Sequence, residues 1–458
     1  MASILFYDII FFALFTIWVI CFLYIKRHNL KREGIVFLYR TKWGIRTINW
    51  FGDNFKKSLH VVKYLSIITG FVLMAGMFYL LGQSLYIYIT FPEITQIVKA
   101  PPIMPLIPYF TEIFNVQSLL PPFYFTYFLI ALVIVAVVHE FSHGIYMRLF
   151  GIKIKSTGFA FLGPILGAFV EEDREGFSKK GNLEQMSVLS AGVFANIIFA
   201  LIFFGVLVGF FYAAYEPAGY MFNTYTYSVV PVSVITGFGS FSDTLTRVNV
   251  GNMTYFADSE LKKQFENQTD YVVLYDDTPA VKSGLIGVIV SMDGYKIKNE
   301  DDMKYFLSHK SPGDNVKIKT IVNGSMKEFE ITLAEHPLNH LKSYIGIANL
   351  QPESRGITGK FISLFSNFKV SSTYYETKID KNFTEFVYNL IWWVMIINFF
   401  VALFNMLPLG ILDGGRFFYL GILSVTKSKR IAEKSFWLIS QIILLIFILL
   451  MFFWLIAL

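Results

Sequence analysis

The sequence predicts a membrane α-helical bundle of about six transmembrane helices, with a β-hairpin set among them and an α+β soluble domain inserted between its two halves. Three observations carry this prediction. The 458 residues are 55% hydrophobic and only 16% charged, against about 25% charged in an ordinary soluble domain. Six apolar stretches reach the roughly 20 residues needed to cross a hydrocarbon core. A long polar segment separates the fourth stretch from the fifth.

The six stretches are residues 4–25, 62–89, 123–150, 186–212, 386–407 and 436–458. The first is expected to be a retained span. It is too long for the core of a signal peptide, has Asp8 as its first charge, and lacks a basic leader. Basic residues gather in three of the connections. Lys26, Arg27, Lys31, Arg32, Arg40, Lys42 and Arg46 follow the first span; Lys153, Lys155, Arg174, Lys179 and Lys180 the third; Arg416, Lys427, Lys429, Arg430 and Lys434 the fifth. The connection after the second span offers only Lys99. Positive loops stay inside, so both termini are expected outside and these three loops in the cytoplasm of a multi-pass protein of the cell membrane. The formal charge of +6 therefore reads as a topology signal, with no nucleic-acid partner expected. Four sequons, at Asn252, Asn267, Asn323 and Asn382, fall in the one long segment expected outside. A polar segment also collects Asn and Thr by composition alone. The single cysteine, Cys21, forms no internal disulfide and anchors no thiolate site, so any metal falls to His, Asp or Glu.

Three shorter regions do not span. Residues 158–170 are apolar but broken by Gly158, Gly163, Pro164 and Gly167. They read as a re-entrant β-hairpin turning at Gly163-Pro164, which membrane depth tolerates only against protein or a water-filled cavity. Residues 34–45 read as a small cytoplasmic strand pair, and 92–122, rich in Pro and aromatics, as an external loop on the membrane surface. The polar segment 213–385 is the soluble domain. Its second half has strand-like runs at 288–291, 316–322 and 329–333, a short helix at Glu300–Ser308, and punctuation at Thr278-Pro279-Ala280, Met292-Asp293-Gly294 and Ser311-Pro312-Gly313-Asp314. That order resembles a PDZ domain of the protease-associated type over about residues 272–335. Residues 213–270 receive no assignment.

The strongest chemical signal is His139-Glu140-Phe141-Ser142-His143. On a helix, positions i and i+4 share a face, so both imidazoles can reach one ion, and neutral imidazole suits Zn²⁺. Glu140, beside the first ligand, is placed to take a proton from an attacking water and pass it to a leaving amine. The motif follows the apolar run Ala131-Leu132-Val133-Ile134-Val135-Ala136-Val137-Val138, inside the third span. Ionisable groups there cost about 2.5–3.5 kcal/mol each even on the lenient insertion scale, which marks function. A catalytic zinc usually takes three protein ligands. The best third candidate is Asp413, in the run Asn405-Met406-Leu407-Pro408-Leu409-Gly410-Ile411-Leu412-Asp413-Gly414-Gly415, where Pro408 and Gly410 are expected to break the fifth helix. Glu171, Glu172 and Asp173, just after the hairpin, are rival ligands, and a plain cytosolic turn at Asp413 is the bland alternative.

An HExxH motif within a membrane helix, followed by Leu412-Asp413-Gly414 after Asn405-x-x-Pro408, resembles the site-2 protease family of intramembrane zinc metalloproteases. Ser190-Ala191-Gly192-Val193-Phe194-Ala195-Asn196 in the fourth span looks like that family's Gly-x-x-x-Asn, and a PDZ insertion at this point of the chain matches its order. The resemblance implies that His139, His143 and Asp413 hold Zn²⁺, that Glu140 is the general acid/base, and that Asn196 and Asn405 support substrate or oxyanion. It implies a membrane region over 1–212, an extracytoplasmic domain over 213–385 and a second membrane region over 386–458. It also implies single-span membrane-protein substrates within the lipid bilayer, cut in regulated intramembrane proteolysis. A divalent-cation transporter and an inactive relative that binds membrane proteins are the other readings. The remaining histidines, His28, His60, His309, His336 and His340, fall outside the expected spans, which disfavours an ion relay.

Overall fold

A computed structural model describes residues 4–91, 101–118, 120–242, 245–258, 270–350 and 356–457. Part of the expected surface loop (92–100) and the sequon at Asn267 lie outside the described residues. The chain divides into two compact units, Met1–Phe210 with Glu385–Leu458, and Phe211–Thr384.

Among the described residues, six helices of the first unit are long and apolar enough to cross a membrane. They are α1 (Ile4–Ile25), α3 (Lys56–Thr90), α4 (Phe125–Leu149), α5 (Asn182–Ala214), α6 (Lys381–Asn405) and α8 (Lys429–Ala457). The chain is thus a multi-pass integral membrane protein. Helices α3 and α5 run 35 and 33 residues, longer than the apolar stretches that announced them. The reason is that the helical ladder continues into the polar ends while only about 30 Å of it needs apolar cover. His60 accordingly lies on α3, exposed near its start.

The N-terminus of α4 is closed by a residue from another helix. Buried Asp8 of α1 accepts the N–H groups of Phe125 at 2.7 Å and Thr126 at 3.0 Å, the Thr126 hydroxyl at 2.5 Å and the Tyr109 hydroxyl at 2.7 Å. The two N–H groups are orphan donors of a first helical turn, which an Asp carboxylate is well suited to cap. The Trp393 Nε1–H of α6 donates to the Pro122 carbonyl at 2.9 Å, and Phe110, Phe123 and Trp393 meet edge-on or tilted in one aromatic core there.

A short amphipathic helix, α2 (Ile45–Asn54), was not evident in the sequence. It buries Ile48 against Gly144 of α4, where an added Cβ would come within 2.8 Å of the Ile48 side chain, and exposes Trp50 and Phe51. Its Asp53 pairs with Arg148 at the end of α4 at 2.8 Å.

Of the strand pair expected within 34–45, only one strand lies there, β2 (Val36–Thr41); its partner is the earlier β1 (Leu30–Glu33), and the chain turns into a helix at Ile45 instead of a second strand. These two strands and the hairpin form one antiparallel sheet, in the order β1, β2, β3 (Ile154–Leu162), β4 (Ile165–Glu172). The free edge of β2 pairs with β3, Tyr39 opposite Phe159, and β3 with β4, Thr157 opposite Val170. Gly158 permits this approach, because a Cβ there would lie 2.2 Å from the Tyr39 carbonyl oxygen. The β3–β4 turn is at Gly163, with φ +57°, as its sequence suggests.

Helix α6 stops at Asn405, ahead of Pro408, and α7 (Asp413–Thr426) begins at Asp413. Gly414 and Gly415 make the fold-back possible: a Cβ on either would sit 2.2–2.3 Å from the backbone of Met406 or Leu409.

The second unit is rich in antiparallel β-structure. Strands Tyr227–Pro231, Tyr271–Asp276, Met253–Asp258, Leu245–Val250 and Ile235–Ser240 form a five-stranded sheet in that order, so much of 213–270 builds a sheet that alternation had not revealed. In a six-stranded sheet, Ser325–Thr332, Asn315–Val322, Val288–Met292, Tyr215–Met221 and Thr373–Thr377 lie in sequence, with Tyr295–Lys296 beside Val288–Met292. The run expected at 329–333 starts earlier, at Ser325. Asn323 and Gly324, with φ +50° and +78°, form the two-residue turn that pairs Val322 with Ser325.

Candidate metal centre

His139 and His143 occupy one face of α4, buried at 8% and 7% exposure. Their Nε2 atoms lie 3.0 Å apart. The Asp413 Oδ2 atom completes a triangle, 3.0 Å from His139 Nε2 and 3.3 Å from His143 Nε2. Asp413 is delivered by the first turn of α7, where the helix dipole favours a carboxylate. Among the described residues this is the one cluster of three or more His, Cys, Asp or Glu able to share an ion.

The far side of each ring sets what the near side offers. His143 Nδ1 faces the Val188 carbonyl at 2.7 Å. A carbonyl only accepts, so Nδ1 carries the proton and Nε2 turns a lone pair toward the triangle. His139 Nδ1 faces the Asn196 amide at 3.2 Å, and with the amide nitrogen turned to the ring the buried Asn196 Oδ1 has no hydrogen-bond partner among the described residues. Amide oxygen and nitrogen are interchangeable in shape. Turning the amide gives Oδ1 the Nδ1–H bond and leaves His139 Nε2 a lone pair as well, the usual arrangement behind a metal-bound histidine. With both imidazoles neutral, two nitrogen lone pairs and a carboxylate oxygen then converge, a donor set suited to a cation. Edges of 3.0–3.3 Å match the spacing of about 3.3 Å that tetrahedral bonds of about 2.0–2.1 Å require.

Helix α5 closes over the pair. A Cβ on Gly192 would lie 2.6 Å from His139 Cε1 and 2.7 Å from His143 Nε2. Glycine is therefore the residue that lets α5 lie on both rings. Ser190, two residues earlier on α5, hydrogen-bonds Ser66 of α3 at 2.7 Å and pins that helix.

Glu140 does not join the triangle. Its Oε2 accepts the Val170 N–H of β4 at 3.0 Å, and Glu140 faces a cleft bounded by Val137, Phe141, Ala168 and Val170. Two of the three rival carboxylates are engaged elsewhere. Glu171 binds Arg40 at 3.1 Å and Ser156 at 2.6 Å. Asp173 pairs with Lys155 at 3.3 Å and caps the helix Arg174–Ser178, while Glu172 stands half-buried between them. Asn405 is half-buried at the last residue of α6, eight positions before Asp413. Sequence reasoning missed the Val188 carbonyl and the Val170 N–H. Both are backbone groups, which leave no residue signature.

The sequence pattern of Peptidase family M50 matches residues 127–451. An uncharacterized protein of Methanocaldococcus jannaschii is 26% identical over 404 residues, covering 87% of this chain and 81% of that protein.

Proposed function

The chain belongs to Peptidase family M50, the site-2 protease family, and on that premise we propose that it is a zinc-dependent endopeptidase that cuts transmembrane segments of single-span proteins in regulated intramembrane proteolysis. The observation that carries the reading is the triangle of His139 Nε2, His143 Nε2 and Asp413 Oδ2, whose edges are 3.0–3.3 Å.

Those three residues would hold the zinc, which supplies an acidified water and a polarised scissile carbonyl. Glu140 Oε1, which takes no hydrogen bond among the described residues, would receive the proton of the attacking water and return it to the leaving amine nitrogen. Asn196 orients the His139 ring through Nδ1. Asn405 is proposed to steady the substrate strand. Hairpin β3–β4 is read as re-entrant, presenting an edge for strand addition by a substrate helix that has locally unwound. Residues 272–335 are read as a PDZ-like module, with helix Glu300–Ser308 capped by Asn299 and packed over the strands. It would screen the external stub of a substrate. The boundaries 1–212, 213–385 and 386–458, with termini and inserted domain outside the cell membrane and water entering from the cytoplasm, complete the reading.

The test is co-expression with tagged single-span candidates. Wild type is expected to clear the membrane stub, and Glu140→Gln to bind zinc and leave the stub uncut. Normal cleavage by Glu140→Gln would remove the proposed role of that carboxylate.

A further inference from the structure

The chain from Gly34 to Lys63 carries six cations, Arg40, Lys42, Arg46, Lys56, Lys57 and Lys63, against the single carboxylate of Asp53. That carboxylate is already taken by Arg148 at 2.8 Å and Lys56 at 3.3 Å. The same stretch turns aromatic side chains outward. Trp43, Trp50, Phe51 and Phe55 are exposed, and the last three gather with ring centroids 4.8–5.8 Å apart. Helix α2 gives way to α3 at Phe55, the one residue between them. An apolar groove of about 230 Å³ lies at this junction, lined by Phe51, Phe55, Ser58, Leu59 and Val62 and by Ile145 of α4. Ser58, Val62, Leu65 and Val72 share one helical face, and Leu65 and Val72 are exposed. The groove therefore opens onto an apolar stripe of a spanning helix.

We propose that the junction of α2 and α3 is a binding site for an anionic phospholipid, with an acyl chain in the groove and the phosphate held by the cations beside it. Lys56 and Lys57 stand between the groove residues Phe55 and Ser58 in the chain, so charge and apolar surface meet within one turn. Basic clusters next to a spanning helix attract anionic headgroups, and Trp side chains settle at the headgroup level. A free phosphate would use only the cations, and a zwitterionic lipid only the groove. An anionic lipid uses both, which is why it is the occupant. The site goes beyond the proteolytic reading and stands without it, because its readout is binding. It also bears on the metal-bearing helix: α2 rests Ile48 on Gly144, the residue after His143, and a lipid at the junction braces α2 in that place.

The test uses the full-length protein in neutral detergent, titrated with phosphatidylglycerol or phosphatidylcholine carrying bromine on the acyl chains, a short-range quencher of indole fluorescence. The signal is the quenching that wild type shows and Trp50→Phe lacks, which isolates the ring beside Phe51 and Phe55. Phosphatidylglycerol is expected to half-saturate this signal at a concentration at least about fivefold lower than phosphatidylcholine, the share of one or two surface cations. Lys56→Gln with Lys57→Gln should bring the two lipids within about twofold of each other and leave phosphatidylcholine quenching as in wild type. Lys429→Gln with Arg430→Gln, an exposed basic pair at the start of α8, should keep the wild-type preference. Ser58→Phe fills the groove and should weaken both lipids. Inorganic phosphate in excess should displace neither. Equal half-saturation by the two lipids in wild type overturns the inference, as does an equal loss of preference in the α8 pair, which would mark surface charge in general. Loss of both lipids in the α2–α3 lysine pair, unchanged binding in Ser58→Phe, or displacement by phosphate alone overturns it as well.

Discussion

Replacing Gly192 by Ala places a methyl group where two imidazoles already are. The built Cβ lies 2.6 Å from His139 Cε1 and 2.7 Å from His143 Nε2, whereas non-bonded carbons rest at about 3.5–4.0 Å. Roughly 0.9 Å must be found. Metal–ligand bonds tolerate only about ±0.2 Å, so a shift of that size in either ring takes at least one ligand off the ion. If α5 moves instead, it draws Val188 and Asn196 away from the ring nitrogens they orient. We expect zinc affinity to fall at least about 100-fold, about 2.7 kcal/mol. Overpacking strain should also lower the stability of the chain by about 1–3 kcal/mol. The assay is competition against a chromophoric chelator, using purified full-length protein. Gly205→Ala is the control, since it lies on the same helix with nothing within 4 Å of the added Cβ, and should leave zinc binding unchanged. Wild-type zinc affinity in Gly192→Ala would mean that α5 does not pin the imidazoles or that they do not hold the metal.

Two further outcomes are expected. Asp8→Ala strips the cap from α4 and leaves the Phe125 and Thr126 N–H groups without their carboxylate. Thermal unfolding in detergent should show a loss of about 3 kcal/mol, reckoned from a lost cap plus charge-assisted hydrogen bonds; an unchanged melting temperature would show that α1 does not brace the catalytic helix. In the second unit, the Lys310 ammonium at 2.7 Å and the Lys317 N–H at 2.8 Å hold the Asp293 carboxyl below the usual carboxylate range. A depressed carboxylate contributes stability above its unfolded value, about 3.9, and loses it as pH falls through the folded value. Hydrogen exchange at 288–296, corrected for intrinsic rates, should therefore quicken below about pH 4 in wild type. Asp293→Asn should flatten that response, and an identical acid response in both proteins would contradict the assignment.

The spans, the HExxH face and the helix break before Asp413 were legible because each is a local property of the chain. A 20-residue apolar run, an i, i+4 pair and a Pro-Gly interruption act through neighbours in sequence. Asn323-Gly324 was equally local and still set the start of its strand four residues earlier than alternation suggested, because turn chemistry fixed the register. Helix α2 was hidden by its length. Its ten residues bear Ile48 on one side and Trp50 and Phe51 on others, and only the groove at Gly144 shows which side is buried.

By itself the sequence determined which residues could carry chemistry: His139, His143 and Asp413 as donors, Glu140 as a proton carrier, and Gly192 as a point of close approach. Tertiary structure decided which of these meet. The choice of Asp413 over Glu171 and Asp173 depends on partners such as Arg40, Ser156 and Lys155, and the ring tautomer of His143 depends on the Val188 carbonyl. The joining of two strand pairs into one sheet depends on Gly158 meeting Tyr39. The physical reason is common to all of them. Backbone donors and acceptors are the same at every residue, so a sequence does not mark where they are spent, and only the packed chain assigns each to its partner.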